Sequence, residues 1–296
     1  MRVSHLAETL LLRGAAGTLR TLPRPAAVGC GALLGSLVGA LGVRARVARD
    51  NLAHAFPEQS TAWREQVLRA HYRELGRVTA DYARLPELVH APREQVFASW
   101  EGEEHAHAAH ALGRGVVFLT GHFGHFELYG AAFGRVLPMA ILVKPQSNPG
   151  ADAWLRALRM ASGLELLPTG AGVRGVVRRL RAGGCVAMLG DQDARRDGVF
   201  VPFLGRLAST PAGPAWLSLA TGAPIVFGTC LRAPDGRYAA RLLPPLWPEG
   251  KADDAGAIRA LTARHTEMLE REVRLRPESW FWLHKRWKTA APDSEA

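Results

Sequence analysis

A histidine and a glutamate that follow a short apolar run could together perform acid–base chemistry. His122 and Glu127 lie five residues apart, just after the apolar residues 116–119. On one continuous helix this spacing is about 500° of rotation, so the two side chains would not share a face. The spacing instead predicts His122 in a loop and Glu127 in the first helical turn, where a carboxylate suits the helix dipole. A histidine oriented by a carboxylate is a general base that can take a proton from a hydroxyl, as acyl transfer requires.

The elements that must position this pair alternate between short apolar runs and helical patterns, which is typical of an α/β sheet. Residues 116–119 are predicted to form a buried strand, and Gly121 and Gly124 mark the turn after it. Further strands are predicted at residues 140–143, 165–167, 185–189 and 224–230, and helices at residues 151–161, 173–181 and 213–221. The sequence therefore predicts one catalytic α/β domain.

Composition limits the class of protein. The chain has 296 residues, of which 48% are hydrophobic and 22% charged, enough to bury one sizeable core. Its net charge of +10 indicates an anionic partner, which could be a nucleic acid, an anionic membrane leaflet or an acidic carrier protein. No nucleic-acid-binding motif is present, so a nucleic acid is not expected. Cys30, Cys185 and Cys230 are scattered, which predicts neither a disulfide framework nor a thiolate zinc site, and a reducing cytosol is the expected setting.

The first 50 residues differ from the rest because residues 26–43 carry no charge and have arginines on both sides. As a helix this segment would be about 27 Å long, which is marginal for a hydrocarbon core of roughly 30 Å. Gly31, Gly35 and Gly39 are spaced four apart and form a small-residue face on which another helix could pack. A spanning helix, an interfacial or re-entrant helix and a soluble core helix all remain open, and the basic flanks suit a surface of anionic lipid.

Several separated motifs, in the right order, resemble those of the bacterial lipid A biosynthesis acyltransferases, the late lauroyl and myristoyl transferases of the lysophospholipid acyltransferase superfamily. These motifs are His122 with Glu127, Asp191 with Gln192, GVFVPFLGR at residues 198–206 and WFWLHKRWK at residues 280–288. The resemblance covers roughly residues 44–289. It implies a glycerolipid-acyltransferase-like mixed sheet flanked by helices. It also implies transfer of a fatty acyl group from acyl carrier protein to a hydroxyl of a lipid A precursor, at the cytoplasmic face of the inner membrane and without a metal or other cofactor.

The resemblance also places Lys144, Asn148 and Arg159 in the substrate cleft. Arg159 has a physical role available, because acyl transfer turns a thioester oxygen into an oxyanion that a fixed guanidinium can stabilise. The alternative for Arg159 is a surface arginine on an amphipathic helix. Lys144 could equally contact a phosphate or the backbone without a role in catalysis.

A second group of candidate substrate-binding residues follows the strand predicted at residues 185–189, where α/β folds place ligand groups. The resemblance assigns Asp191 and Gln192 to cleft architecture and to hydrogen bonds with the acceptor, although a plain turn would look the same. Arg195 and Arg196 lie just beyond and suit a phosphate on a glycolipid or on the carrier's prosthetic arm. The apolar residues between positions 199 and 204 could form part of an acyl-chain wall, or equally a core strand.

The central motif departs from the family at two positions. The usual His-x-Gly-Asn-Trp-Glu reads here HFGHFE, with His125 in place of Asn and Phe126 in place of Trp. His125 brings a second imidazole next to His122. The His122 and Glu127 dyad stays intact, but the identity of the acceptor is left open. The alternative acceptors are a lysophospholipid and a glycosylated phosphatidylinositol. More distant alternatives are a metallohydrolase using His122, His125 and Glu127, and a membrane-binding module without enzymatic activity.

A further histidine cluster has two possible readings. His105, His107 and His110 could share a metal, but residues 99–111 also resemble the family's strand and helix that lead into the catalytic loop. Solvated histidines are therefore the expected state of this cluster.

The domain organisation predicted from these patterns has three parts. Residues 1–50 form a membrane-associated helical segment, residues 51–290 the acyltransferase domain, and residues 291–296 a loose tail. Near the end of the domain, aromatic residues interleaved with cations favour a membrane interface or anionic headgroups, but they could simply close a core. We expect Trp280 and Trp282 to be partly buried.

Overall fold

A computed structural model of the chain describes residues 3–168 and 173–292. The strands described are, in chain order, β1 (Phe97–Glu101), β2 (Val116–Thr120), β3 (Met139–Val143), β4 (Glu165–Pro168), β5 (Cys185–Leu189), β6 (Val199–Phe203), β7 (Arg206–Thr210), β8 (Ile225–Arg232) and β9 (Tyr238–Leu242). Within these residues the main sheet has seven strands in the order β1, β9, β8, β2, β5, β3, β4. Its strand pairs are parallel except for β8 with β9, so the predicted mixed sheet is confirmed.

Helices lie on both faces of this sheet. The helices described are α1 (Val3–Thr21), α2 (Arg24–Ala40), α3 (Ala45–Ala55), α4 (Thr61–Tyr82), α5 (Leu85–His90), α6 (Arg93–Val96), α7 (Glu103–Ala111), α8 (Phe126–Phe133), α9 (Pro149–Ala161), α10 (Val173–Arg181), α11 (Gly213–Thr221) and α12 (Ala255–Leu275), with short 3₁₀ turns at Arg195–Asp197 and Pro277–Ser279. The sequence of strand β2 is continuously apolar because both faces of the strand are buried. Val117 and Leu119 pack into the core under α10, α11 and α12, whereas Val116 and Phe118 pack into the core under α7 and α8.

The strands and helices predicted from apolar periodicity are confirmed, with ends shifted by one or two residues. β5, α10 and α11 have the predicted bounds, and β8 begins one residue later than predicted and extends to Arg232. The apolar residues of β6 belong to a separate hairpin with β7. Val201 and Phe203 are fully buried, and Phe203 belongs to the core that includes α12, so this segment is a core strand, the second of the two alternatives that the sequence left open.

The predicted small-residue face of the N-terminal segment packs on another helix. α2 lies against α4 so closely that a Cβ added to Gly35 would be 2.1 Å from the carbonyl oxygen of Tyr72. A Cβ on Gly31 would be 2.4 Å from the carbonyl oxygen of Gly76, and Gly39 faces the Tyr72 ring. The absence of side chains at these positions therefore sets the distance between the two backbones.

Among the described residues, no single helix has the length and apolar character that crossing a membrane requires. The helices α2 and α3 meet that requirement only as a pair, and this pair is bent by 90°.

The C-terminal aromatic residues close the core of the domain. Trp280 and Trp282 are 1% and 0% exposed, so they are fully rather than partly buried. The guanidinium of Arg286 is buried with them and donates hydrogen bonds to Ser209 and Thr210 of β7. The predicted loose tail lies mostly outside the described residues, since only residues 291 and 292 of it are described.

Candidate active site

The candidate site lies at the carboxyl edge of the main sheet. β2 and β5 are parallel neighbours, and their last residues, Thr120 and Leu189, are aligned. Segments that follow aligned parallel strands meet at one edge of the sheet, where α/β folds bind ligands. His122 lies in the loop after β2, and Asp191 lies just after β5.

The loop between β2 and α8 is held tightly against β8. Gly124 has a φ of +58°, and a Cβ at this position would be 2.3 Å from the carbonyl oxygen of Cys230. The same oxygen accepts a hydrogen bond of 2.8 Å from the His125 N–H. On the other side of the loop, the Phe281 N–H donates to the His122 carbonyl oxygen at 3.0 Å. The backbone of His122 is therefore fixed by contacts to two distant parts of the chain.

The carboxylate that orients the His122 ring belongs to Asp191. Nδ1 of His122 is 2.8 Å from Oδ1 of Asp191, and the His122 backbone N–H donates to Oδ2 at 2.7 Å. The indole N–H of Trp280 donates to the same Oδ2 at 2.9 Å. Because an ionised carboxylate can only accept, Nδ1 carries the proton and Nε2 carries the lone pair, which faces the amide of Gln192. That lone pair is what a general base needs.

Each member of the His122 and Asp191 pair shifts the pKa of the other toward its charged form. Burial alone would lower the pKa of His122, but the Asp191 carboxylate outweighs it and raises the pKa above its ordinary value. Burial would likewise raise the pKa of Asp191, but the charge and hydrogen bonds of His122 and the Trp280 indole hold it below its ordinary value. Asp191 therefore stays ionised, and His122 is a stronger base than an isolated buried imidazole would be.

Glu127 lies in the first turn of α8, as predicted, but it does not orient His122. Its two carboxylate oxygens accept hydrogen bonds from Arg159, from Nε at 3.1 Å and from Nη2. This side chain is pulled toward α9 because a bidentate guanidinium pair satisfies both of its oxygens at once. Glu127 still contributes to the raised pKa of His122 through its charge. The expected direct contact between Glu127 and His122 is thus corrected to a contact between Asp191 and His122.

Arg159 lies in the wall of the site and is not a surface arginine. Its side chain is 16% exposed, and that of Glu127 is 10% exposed. Two of its N–H groups are committed to Glu127, and the Tyr82 ring lies beside the pair. Its role toward an oxyanion stays a prediction.

A cavity of about 780 Å³ opens beside His122. His122, Glu127, Lys144, Arg159 and Gln192 line its polar end. Its remaining walls are mainly apolar and come from β3, β5, α10 and α11, including Ile141, Val143, Met188, Trp216 and Leu217. An elongated apolar chain with a reactive polar end fits such a cavity.

Gln192 reaches the imidazole of His122, since its Nε2 lies 3.3 Å from Nε2 of His122. The amide nitrogen therefore lies beside Nε2, the ring nitrogen that would take the proton. Asp191 and Gln192 are both in the site, but Asp191 holds the imidazole and is only 3% exposed, so it does not offer itself to an acceptor.

Three of the predicted substrate-binding residues lie away from the cavity. Asn148 caps α9 by accepting from the N–H groups of Gly150 and Ala151, and it donates to the His5 carbonyl oxygen in α1. It is a buried structural residue and does not line the cleft. Arg195 and Arg196 are exposed on the 3₁₀ turn and are not among the residues that line this cavity.

His125 is a buried, neutral imidazole that caps a helix. It precedes α8 and accepts a hydrogen bond from the Leu128 N–H through Nδ1, at 3.2 Å. The ring is 1% exposed and lies edge-on to Tyr82 and Tyr238. Burial lowers its pKa to about 4, so it is neutral. The asparagine expected at this position could form the same cap.

Two functional features were missed from the sequence. Trp280 was recognised only as an aromatic residue, yet its indole N–H helps to hold the Asp191 carboxylate. Closeness in sequence favours Glu127 as the partner of His122, although the Asp-Gln motif after β5 is a signal for Asp191. Among the described residues, no group of three His, Cys, Asp or Glu side chains could hold a metal ion. His107 in α7 contacts Glu103 instead, at 3.4 Å.

Comparison with known sequences shows the family to which the chain is related. The model of the family described as bacterial lipid A biosynthesis acyltransferase matches residues 2–289. The lipid A biosynthesis lauroyltransferase of Escherichia coli (strain K12) is 29% identical over 276 residues, which cover 90% of this chain and 87% of that protein. The lipid A biosynthesis palmitoleoyltransferase of the same strain is 29% identical over 265 residues, covering 86% and 84%.

A relative with a different name is also similar. The phosphatidylinositol mannoside acyltransferase of Mycobacterium tuberculosis (strain CDC 1551 / Oshkosh) is 27% identical over 250 residues, which cover 81% of this chain and 76% of that protein.

Proposed function

Because the chain belongs to the bacterial lipid A biosynthesis acyltransferase family and is therefore an acyltransferase, we propose that it transfers a fatty acyl group to a hydroxyl of a lipid A precursor. The donor in this proposal is a thioester of acyl carrier protein. The observation that carries the proposal is the His122 and Asp191 pair at the polar end of a largely apolar cavity.

The chemistry follows from the lone pair on Nε2 of His122, which an acceptor hydroxyl would take over from the Gln192 amide. The acceptor hydroxyl gives its proton to Nε2 as its oxygen attacks the thioester carbonyl carbon. Asp191 stabilises the imidazolium that forms. When the tetrahedral intermediate collapses, the carbon–sulfur bond breaks and the thiolate leaves with the proton that the imidazolium returns. The products are an ester on the acceptor and a free thiol on the carrier.

Direct attack on the thioester, rather than an acyl-enzyme, fits the cysteines of this chain. Cys185 and Cys230 are buried, and burial raises the pKa of the Cys185 thiol to about 11, which disfavours a thiolate nucleophile. Cys30 is exposed on α2, away from the sheet edge. The remaining nucleophile is the acceptor hydroxyl itself.

The apolar walls of the cavity suit the acyl chain, and its polar end suits the reacting carbonyl. The developing oxyanion would be stabilised by a cation at this end, and Lys144 and Arg159 are the two cations that line it. Acyl carrier protein is acidic, and the net charge of +10 favours its approach.

We also propose that the enzyme works at the cytoplasmic face of the inner membrane, with α1 and α2 on the lipid surface. Large apolar side chains are exposed on these two helices, among them Leu6, Leu10, Leu11, Leu33, Leu34 and Leu37. Such surfaces are uncommon on a monomer unless something covers them. α1 also packs against α9, which contributes Arg159 to the cavity wall, so a lipid surface under α1 would be near the site.

The test is a competition between acceptors. The purified enzyme receives labelled acyl-acyl carrier protein with either a tetra-acylated lipid A precursor or lysophosphatidic acid, and His122→Ala serves as the control for background transfer. We expect transfer to the lipid A precursor to be far faster, with a product heavier by one acyl group and a new ester on a hydroxyacyl chain. The reverse preference, or a preference for a phosphatidylinositol mannoside, would overturn the lipid A assignment and leave the acyl-transfer chemistry standing.

A further inference from the structure

A second cavity also borders His122. It has a volume of about 290 Å³ and lies between α4, the loop after β2 and the 3₁₀ turn before Trp280. His122, Phe126, Glu127 and Arg159 line both cavities. The Glu127 and Arg159 ion pair and the His122 ring therefore border both cavities. Such an arrangement suits a reaction with two large substrates, one for each cavity.

A residue in the wall of the smaller cavity has a buried hydrogen-bonding atom without a partner. His71 lines this cavity and is 3% exposed. Its Nδ1 lies 3.1 Å from the carbonyl oxygen of Glu278, which can only accept, so Nδ1 carries the proton. Nε2 is then an acceptor, and it has no hydrogen-bond partner within residues 3–168 and 173–292. An unpaired buried acceptor costs free energy, and a hydroxyl on a ligand would satisfy it.

A third cavity, of about 630 Å³, adjoins the smaller one. Glu74 and Glu278 line both of them. The third cavity lies where α2, α4 and the turn between β8 and β9 meet, and the arginines in its walls are Arg24, Arg73, Arg77, Arg232 and Arg276. The acidic residues in its walls are Glu74, Asp235 and Glu278.

The acidic residues of this third cavity are already paired. Glu74 accepts from Arg232 at 3.0 Å and from Arg77 at 3.3 Å. Glu278 is paired with Arg276 at 2.8 Å, and Asp235 with Arg237.

The arginines of this cavity therefore include unused donors. Arg73 is exposed and has neither an ion pair nor a hydrogen bond within the described parts of the chain. The single long contact of Arg77 leaves most of its N–H groups free. A phosphate, which accepts several charge-assisted hydrogen bonds at once, fits these donors.

From these contacts we infer that the two adjoining cavities bind the acceptor lipid, with one of its hydroxyls donating to His71 and one of its phosphates bound by Arg73 and Arg77. This inference rests on the proposed function and locates the binding site of its acceptor in this chain. A lipid phosphate, rather than free phosphate, is the ligand because the third cavity borders α2. The exposed leucines of that helix would place the headgroup region of a bilayer beside these arginines.

The experiment compares acceptors with and without phosphate. The probes are the tetra-acylated disaccharide lipid A precursor that carries two phosphates and the same disaccharide lipid after enzymatic dephosphorylation. The variants are Arg73→Ala combined with Arg77→Ala, and Arg69→Ala as the matched control. Arg69 is an exposed arginine of α4 that does not line any of the three cavities. Steady-state kcat and KM are measured with acyl-acyl carrier protein in excess.

We expect the double variant to raise KM for the phosphorylated acceptor about tenfold or more, with kcat little changed, since charge-assisted hydrogen bonds are lost in binding but not in chemistry. KM for the dephosphorylated acceptor should be the same in the wild type and the double variant. His71→Phe should raise KM for both acceptors, because its hydrogen bond does not involve phosphate.

An unchanged KM in the double variant, an equal rise in the Arg69→Ala control, or an equal rise with the dephosphorylated acceptor would overturn the inference. All three outcomes presuppose that the wild type acylates the lipid A precursor. If the wild type acylates neither lipid A acceptor, it is the proposed function that fails, and the acceptor site inferred from it fails as well. Should His71→Phe fail to fold, the exposed arginines alone still decide the question.

Discussion

The carboxyl edge of the sheet and the packing of α2 on α4 are organised by different forces. At the sheet edge, His122, Asp191 and Trp280 come from three distant parts of the chain and are joined by hydrogen bonds and charge. Between the helices, glycines at a spacing of four residues let two backbones touch. The first region can lose its chemistry while the fold survives, and the second can lose stability without any change in the reacting groups.

The largest expected effect is at the sheet edge, for His122→Ala. The substitution removes the base but keeps the backbone N–H and carbonyl of residue 122, which hold the loop. We expect kcat to fall by about 10²–10⁴-fold, the usual contribution of a general base. Urea unfolding should show a cooperative transition at a somewhat lower midpoint, because the buried Asp191 carboxylate loses one hydrogen bond but keeps those from the residue 122 N–H and Trp280. A folded variant with near-wild-type turnover would show that His122 is not the base.

The helix pair should show the opposite behaviour. In Gly35→Ala the new Cβ would meet the carbonyl oxygen of Tyr72 at 2.1 Å, which forces the helices apart and should destabilise the fold by about 1–3 kcal/mol. Gly29→Ala on the same helix is the matched control, because nothing lies within 4 Å of a Cβ there. Its unfolding free energy should stay the same or rise by up to about 1 kcal/mol through helix propensity.

Stability in this experiment is measured by chemical unfolding, and kcat is measured below the unfolding transition. If Gly35→Ala were as stable as Gly29→Ala, the close packing of α2 on α4 would be refuted. A loss of kcat in the folded Gly35→Ala protein would show that the two regions are coupled.

These two regions also differ in how well the sequence predicted them. The glycine spacing of α2 and the apolar run of β2 are local patterns, so the helix-packing face and the strand were predicted correctly. The orienter of His122 depends on which strands are neighbours in the sheet. β2 and β5 are adjacent, and this brings together two residues that are 69 apart in the chain. Proximity in sequence favoured Glu127, whose charge is instead satisfied by Arg159.

Asn148 is a second residue whose contacts could not be predicted from the sequence. Its position before Pro149 is a good signal for a helix cap, and the structure uses it in that way. The resemblance had placed it in the cleft. The sequence pattern indicates where α9 begins, but the packing of α1 on α9 determines what the Asn148 side chain contacts.

The most direct test of the account is the pH dependence of kcat/KM in Asp191→Asn and Glu127→Gln, compared with the wild type. The base must be unprotonated, so activity is lost as the pH falls through the pKa of His122, which Asp191 raises. Asp191→Asn removes that carboxylate, so the variant should have a much lower maximum rate and an acidic limb shifted to lower pH.

Glu127→Gln should also be impaired, because it leaves Arg159 unpaired in the cavity wall, but its acidic limb should move less. The weaker shift follows from the arrangement of the two carboxylates, since Asp191 is hydrogen-bonded to the imidazole and Glu127 acts on it only through charge. A larger shift in Asp191→Asn than in Glu127→Gln is the result predicted by the His122 and Asp191 pair. A wild-type rate and an unshifted profile in Asp191→Asn, with the shift found in Glu127→Gln, would contradict it.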